Sequence, residues 1–158
     1  MTTTGHPEAE AWHEAGHAVV AHLLGGRVRE LTLEMDEDGL DGRSSIEWRG
    51  LDGMGLASVS GRAALGGPLA ELIFRGEDSL EDPSVLSAWE GDWAEVERCA
   101  LRVEPDPAAR VGVISGWIES VRALLADGRV EEWVARVADA LDAHGTLDRE
   151  LFESCLTD

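Results

Sequence analysis

Apolar positions change their period along this chain. Trp12, Gly16, Val19 and Leu23 recur at spacings of four, three and four, which lays one stripe along a helix. Pro7 suits the first turn of that helix, Glu8 and Glu10 lie near the positive end of its dipole, and Gly25-Gly26 is a natural stop. From Arg29 to Met35 the period drops to two, predicting a strand. The acidic stretch Asp36 to Gly42 reads as a turn and Arg43 to Arg49 as a returning strand, so a hairpin is expected.

Leu51 to Leu56 reads as a connection. A helical pattern runs from Ala57 to Phe74, interrupted by Gly66-Gly67-Pro68, where the proline either kinks one helix or begins a second. Gly76 to Ala88 is a polar loop containing Pro83. Further helices are expected at Asp92 to Arg102, Asp106 to Ala126, Val130 to Ala143 and Leu147 to Leu156, with Thr146 capping the last. The expected fold is mainly α (α+β), a single domain over residues 1–158 with one small antiparallel sheet.

Charge narrows the partners. Asp and Glu total 32 against 13 basic residues, a formal net charge of −19, which repels nucleic acid and anionic lipid. Every basic residue is arginine, so a P-loop and a lysine Schiff base are both excluded. Cys99 and Cys155 follow no CxxC spacing and read as reduced thiols of a cytoplasmic protein. The segment Met1 to Ala9 lacks the pattern of a signal peptide, and no apolar run approaches the roughly 20 residues that span a bilayer.

The chemistry concentrates in His13-Glu14-Ala15-Gly16-His17. On a helix, positions four apart differ by roughly 40°, so both imidazoles share a face and can reach one zinc ion. Glu14 lies beside them, where it can take a proton from a water activated by the metal. His22 points nearly opposite His13, and His6 and His144 stand alone, so all three are expected to be bystanders. Asp36 to Glu47 is not a calcium loop, because Asp41 occupies the position that requires glycine. Val20 rules out a third histidine in the extended HExxHxxGxxH pattern, which leaves a downstream acid as third ligand. From the residues alone, Glu71 and Asp92 both qualify. Glu71 reads equally well as a buried carboxylate paired with Arg62 or Arg75, and Asp92 as a helix cap.

Four stretches resemble the peptidase domain of the FtsH family of ATP-dependent zinc proteases. They are His13 to Leu24 (HEAGHAVVAHLL), Leu65 to Gly76 (LGGPLAELIFRG), Gly91-Asp92-Trp93 with Ala100, and Trp133 to Leu156 with its TLD element. The resemblance implies a zincin-like helical fold in which residues 1–104 carry the zinc site and 105–158 the closing helices. It implies Asp92 as third ligand beside His13 and His17, with Glu71 in a structural role. It also implies substrate pairing along the strand near Arg29 to Met35, and it leaves room for a homo-oligomer or a separate ATPase partner. Pro68 stands where that family carries arginine, and the loop before Asp92 lacks its usual Thr-Gly-Ala character. The expected function is zinc-dependent endopeptidase action on peptides or unfolded segments, with Glu14 as the base. The rival is a zinc-binding interaction module that does not cleave.

Overall fold

The fully buried side of helix α1 (Pro7–Leu23) carries nothing larger than valine, with Trp12 and Leu23 packing at its margins. Ala11, Ala15, Ala18, Val19, Val20 and Ala21 are buried to within 1%. Such a face lets another helix come close, and α2 (Gly53–Arg75) does so with its own small residues, Ala63, Ala64, Gly66, Gly67 and Ala70. The computed structural model describes residues 7–33, 35–36, 39–40 and 43–157, and their side chains over 8–33 and 45–157. His6 lies outside the described residues, as does part of the Asp36 to Gly42 turn.

Between the two helices the chain forms β1 (Arg27–Thr32), β2 (Met35–Asp36), β3 (Gly39–Leu40) and β4 (Arg43–Glu47). β1 pairs antiparallel with β4 as the hairpin expectation required, with Val28 opposite Ile46 and an irregularity between Val28 and Glu30. β2 and β3 continue the ribbon as a two-residue ladder. A strand absent from the sequence reading joins the other side: β5 (Thr146–Asp148) sets Leu147 opposite Leu31. The sheet order is therefore β4-β1-β5, and β1 is central. With both edges of β1 taken, substrate pairing along it is not available, contrary to expectation.

Thr146 does not cap the last helix. It sits in β5 with its hydroxyl 2.8 Å from that of Thr32, and α6 (Arg149–Ser154) is capped by Asp148, which accepts from the Leu151 amide at 2.8 Å. A carboxylate two residues on gave the helix start its acceptor, and the buried Leu147 drew the preceding residues into the sheet.

Pro68 does not begin a second helix: it lies inside one element that runs from Gly53 to Arg75 and stops at Gly76 in the left-handed region, φ 74°. A short 3₁₀ turn (Pro83–Ala88) then leads into α3 (Glu90–Val103), which places Asp92 in the first turn rather than at the cap. α4 (Pro107–Ala126) and α5 (Gly128–His144) start at Asp106 and Asp127, each of which accepts from a backbone amide of its own first turn. The structure is mainly helical with one small three-stranded antiparallel sheet, as expected. Its buried side chains form one cluster drawing on α1, β1, α2 to α6 and β5. Both cysteines are free thiols; Cys99 is buried and Cys155 half-buried. His22 stacks edge-on to Phe152, with ring centroids 6.0 Å apart, on the far side of α1 from His13.

The helix contact yields a test. A Cβ on Gly16 would lie 2.3 Å from the Gly66 carbonyl oxygen and 2.5 Å from the Ala70 methyl, and backbone cannot swing aside. Gly16→Ala is expected to destabilise the fold by about 1–3 kcal/mol in urea unfolding, despite better helix propensity. Gly116→Ala in α4, where nothing lies within 4 Å of the new carbon, should instead stabilise by up to about 1 kcal/mol. Equal gains at both positions would contradict the close helix approach.

Candidate metal centre

His13 and His17 project from α1 into a cleft of about 550 Å³ between α1, α2, β4 and the start of α3. Their rings lie edge to face, centroids 4.7 Å apart. One ligand atom from each of His13, Glu14 and His17 lies within 4.8 Å of the others, a cluster that could hold a metal ion. Asp92, carried in by α3, sets Oδ2 2.7 Å from His13 Nε2 and Oδ1 3.2 Å from His17 Nε2. The carboxylate therefore spans both Nε2 atoms.

The far nitrogens are tied down from behind. His13 Nδ1 donates to Glu71 Oε1 at 2.9 Å, and His17 Nδ1 donates to the Ala63 carbonyl at 2.8 Å. Fixing the proton on Nδ1 leaves Nε2 as the nitrogen that can take a metal. Glu71 is 6% exposed and is held by three donors: His13 Nδ1, Trp89 Nε1 at 3.1 Å, and the Arg75 guanidinium. Arg75, not Arg62, is thus its ion-pair partner. Glu71 meets His13 at the nitrogen facing away from Asp92, which separates the two acids that sequence reading had left as alternatives.

Electrostatics follow from this packing. Burial works against charge on His13, but Asp92 and Glu71 outweigh it and push the imidazole up to about 9. His17 is also raised, Asp92 prevailing over burial. Burial would raise Asp92, yet the two imidazoles hold it well below the usual carboxylate range; Glu71 is lowered against burial by His13 and Arg75. Glu10, one turn before Glu14, is raised by burial and then by the neighbouring carboxylates of Glu71 and Glu14. Protons and a metal would compete for the same two nitrogens.

The residues fit an ion of zinc's kind. Two imidazole nitrogens and a carboxylate are the donors that zinc takes in catalytic sites. Gly67 supplies the room. A Cβ built there would lie 2.4 Å from His17 Nε2 and 2.7 Å from His13 Nε2, in the space from which an ion could reach both. Glycine at 67 keeps that space open. Sequence reading saw Gly66-Gly67 as a helix interruption and as part of a family-like stretch, without a role at the metal, and it missed the Ala63 carbonyl, the role of Trp89, and the cleft wall formed by Ile46 and Trp48. The Ala63 contact is with backbone and leaves no side-chain signal.

A family model described as Peptidase M50B-like matches residues 9–66, covering α1, the hairpin and the first half of α2. No curated protein matches the chain. The match suggests metalloprotease-type function and corrects the FtsH assignment. The physical reason is that an HExxH helix follows from the demands of two-histidine zinc binding, and paired glycines from close helix packing. Both recur in peptidases of other families. With that assignment goes the reason to expect an ATPase partner. The matched family comprises membrane metalloproteases, whereas no helix among the described residues is long and apolar enough to cross a membrane.

Gly67→Ala puts a methyl group into the cradle. It is expected to lose most bound zinc, measured by elemental analysis after gel filtration, while far-UV circular dichroism stays helical. Full zinc retention would show that the ion does not sit between the two Nε2 atoms.

Proposed function

We propose that this protein is a zinc-dependent metalloendopeptidase, with the ion held by His13, His17 and Asp92 and with Glu14 as the catalytic base. The observation that carries this reading is the meeting of Asp92 with both Nε2 atoms at a glycine-lined cradle beside Glu14. The Peptidase M50B-like match supports it.

A zinc ion held by His13, His17 and Asp92 would supply Lewis acidity, which lowers the pKa of a bound water from 15.7 to about 7. Glu14 takes the proton from the attacking water and passes it to the leaving amine, as one carboxylate can do in both directions. Glu71 and the Ala63 carbonyl hold the two imidazoles by their Nδ1 atoms, leaving both Nε2 atoms to face Asp92, where they would hold the ion. Substrates of this reading are peptides or unfolded segments. The outer edge of β4, next to Ile46 and Trp48 in the cleft wall, offers backbone pairing to an extended chain.

Glu14→Gln tests the base directly. The variant should keep its zinc and lose peptide hydrolysis by about 10²–10⁴-fold, measured with quenched fluorescent peptides. Hydrolysis undiminished in zinc-loaded Glu14→Gln would remove Glu14 from the mechanism. An inert wild type that binds zinc would favour the interaction module.

A further inference from the structure

The cleft has two unlike sides. Ile46 and Trp48 form the wall next to β4, whereas the α3 side carries Glu90, Asp92 and Glu95, and no arginine lines the cleft among the described residues. The three acids differ in what already holds them. Asp92 is engaged by both imidazoles, and Glu95 is bridged by Arg98 at 2.6 Å. Glu90 is exposed, sits in the first turn of α3 and has no ion-pair partner among the described residues. A carboxylate placed so, across a cleft from an apolar wall, attracts a cationic side chain of anything lying in the cleft. The net charge of −19 acts in the same sense, drawing basic peptides in and repelling acidic ones.

We propose that Glu90 is a specificity residue: it selects peptides with a lysine or arginine next to the scissile bond and an apolar residue that packs on Ile46 and Trp48. This rests on the peptidase reading above and adds the substrate class to it. An acid in a first helical turn also stabilises the helix, so the deciding readout must be one that helix stability does not move. The ratio between two substrates is such a readout.

The experiment uses the zinc-loaded full chain and matched peptides carrying Lys, Gln or Glu at each position flanking the bond. At the responsive position, kcat/KM for the Lys peptide should exceed that for the Glu peptide by about tenfold or more, mostly through KM. The ratio should shrink at high salt, since the charges are exposed. Glu90→Arg should abolish or invert it. Binding of the same peptides to zinc-loaded Glu14→Gln, followed by fluorescence anisotropy, should show the same order. Cleavage without charge preference, or a preference unmoved by Glu90→Arg, overturns the proposal and leaves the peptidase reading intact. Absence of all cleavage overturns the peptidase reading instead, and the binding ratios then decide the charge preference by themselves.

Discussion

Helices α1 and α2 touch through backbone. Gly16 faces the Gly66 carbonyl and Gly66 faces that of Gly16, with a Cβ at either position closer than 3 Å to the opposing oxygen. Only glycine permits this spacing, and the spacing decides what happens one turn along. It brings Gly67 under the two imidazoles, the Ala63 carbonyl within reach of His17, and Glu71 within reach of His13. Separating the helices by a methyl group would lengthen all three relationships together. The site is thus a consequence of the packing that forms the core, because the alanines and valines beside Gly16 are the same residues that fill it.

A second constraint is electrostatic. A buried carboxylate is costly unless its acceptors are filled. Glu71 meets that condition with donors from α1, from its own helix and from the residue preceding α3, so three segments are tied at one side chain. Trp89, which donates to Glu71, is also the residue from which α3 starts. Asp92 follows three residues later and lands on the imidazoles. The polar network that orients His13 therefore also delivers the acid that faces it.

Much of this was legible before the fold was known. The three-and-four spacing marked α1, the alternation marked β1, and the HExxH spacing put His13 and His17 on one face. The residues alone left Asp92 and Glu71 as equal candidates, and Asp92 was put first only through a family resemblance that the Peptidase M50B-like match corrects, although its geometry beside the imidazoles stands by itself. Illegible features were those encoded in space. Gly67 matters for the volume it leaves, β5 is three residues long and sets the buried Leu147 opposite Leu31, and Pro68 lies buried inside a continuous helix. Propensity cannot anticipate such cases, since tertiary contacts override it.

The central claim is that His13, His17 and Asp92 hold one zinc ion. It is tested most directly by the metal content of wild type and Asp92→Ala, purified side by side without added metal and measured by elemental analysis. The account predicts about one zinc per wild-type chain and its loss from most of the variant. Equal zinc in both proteins, or none in wild type after zinc is supplied, would contradict it.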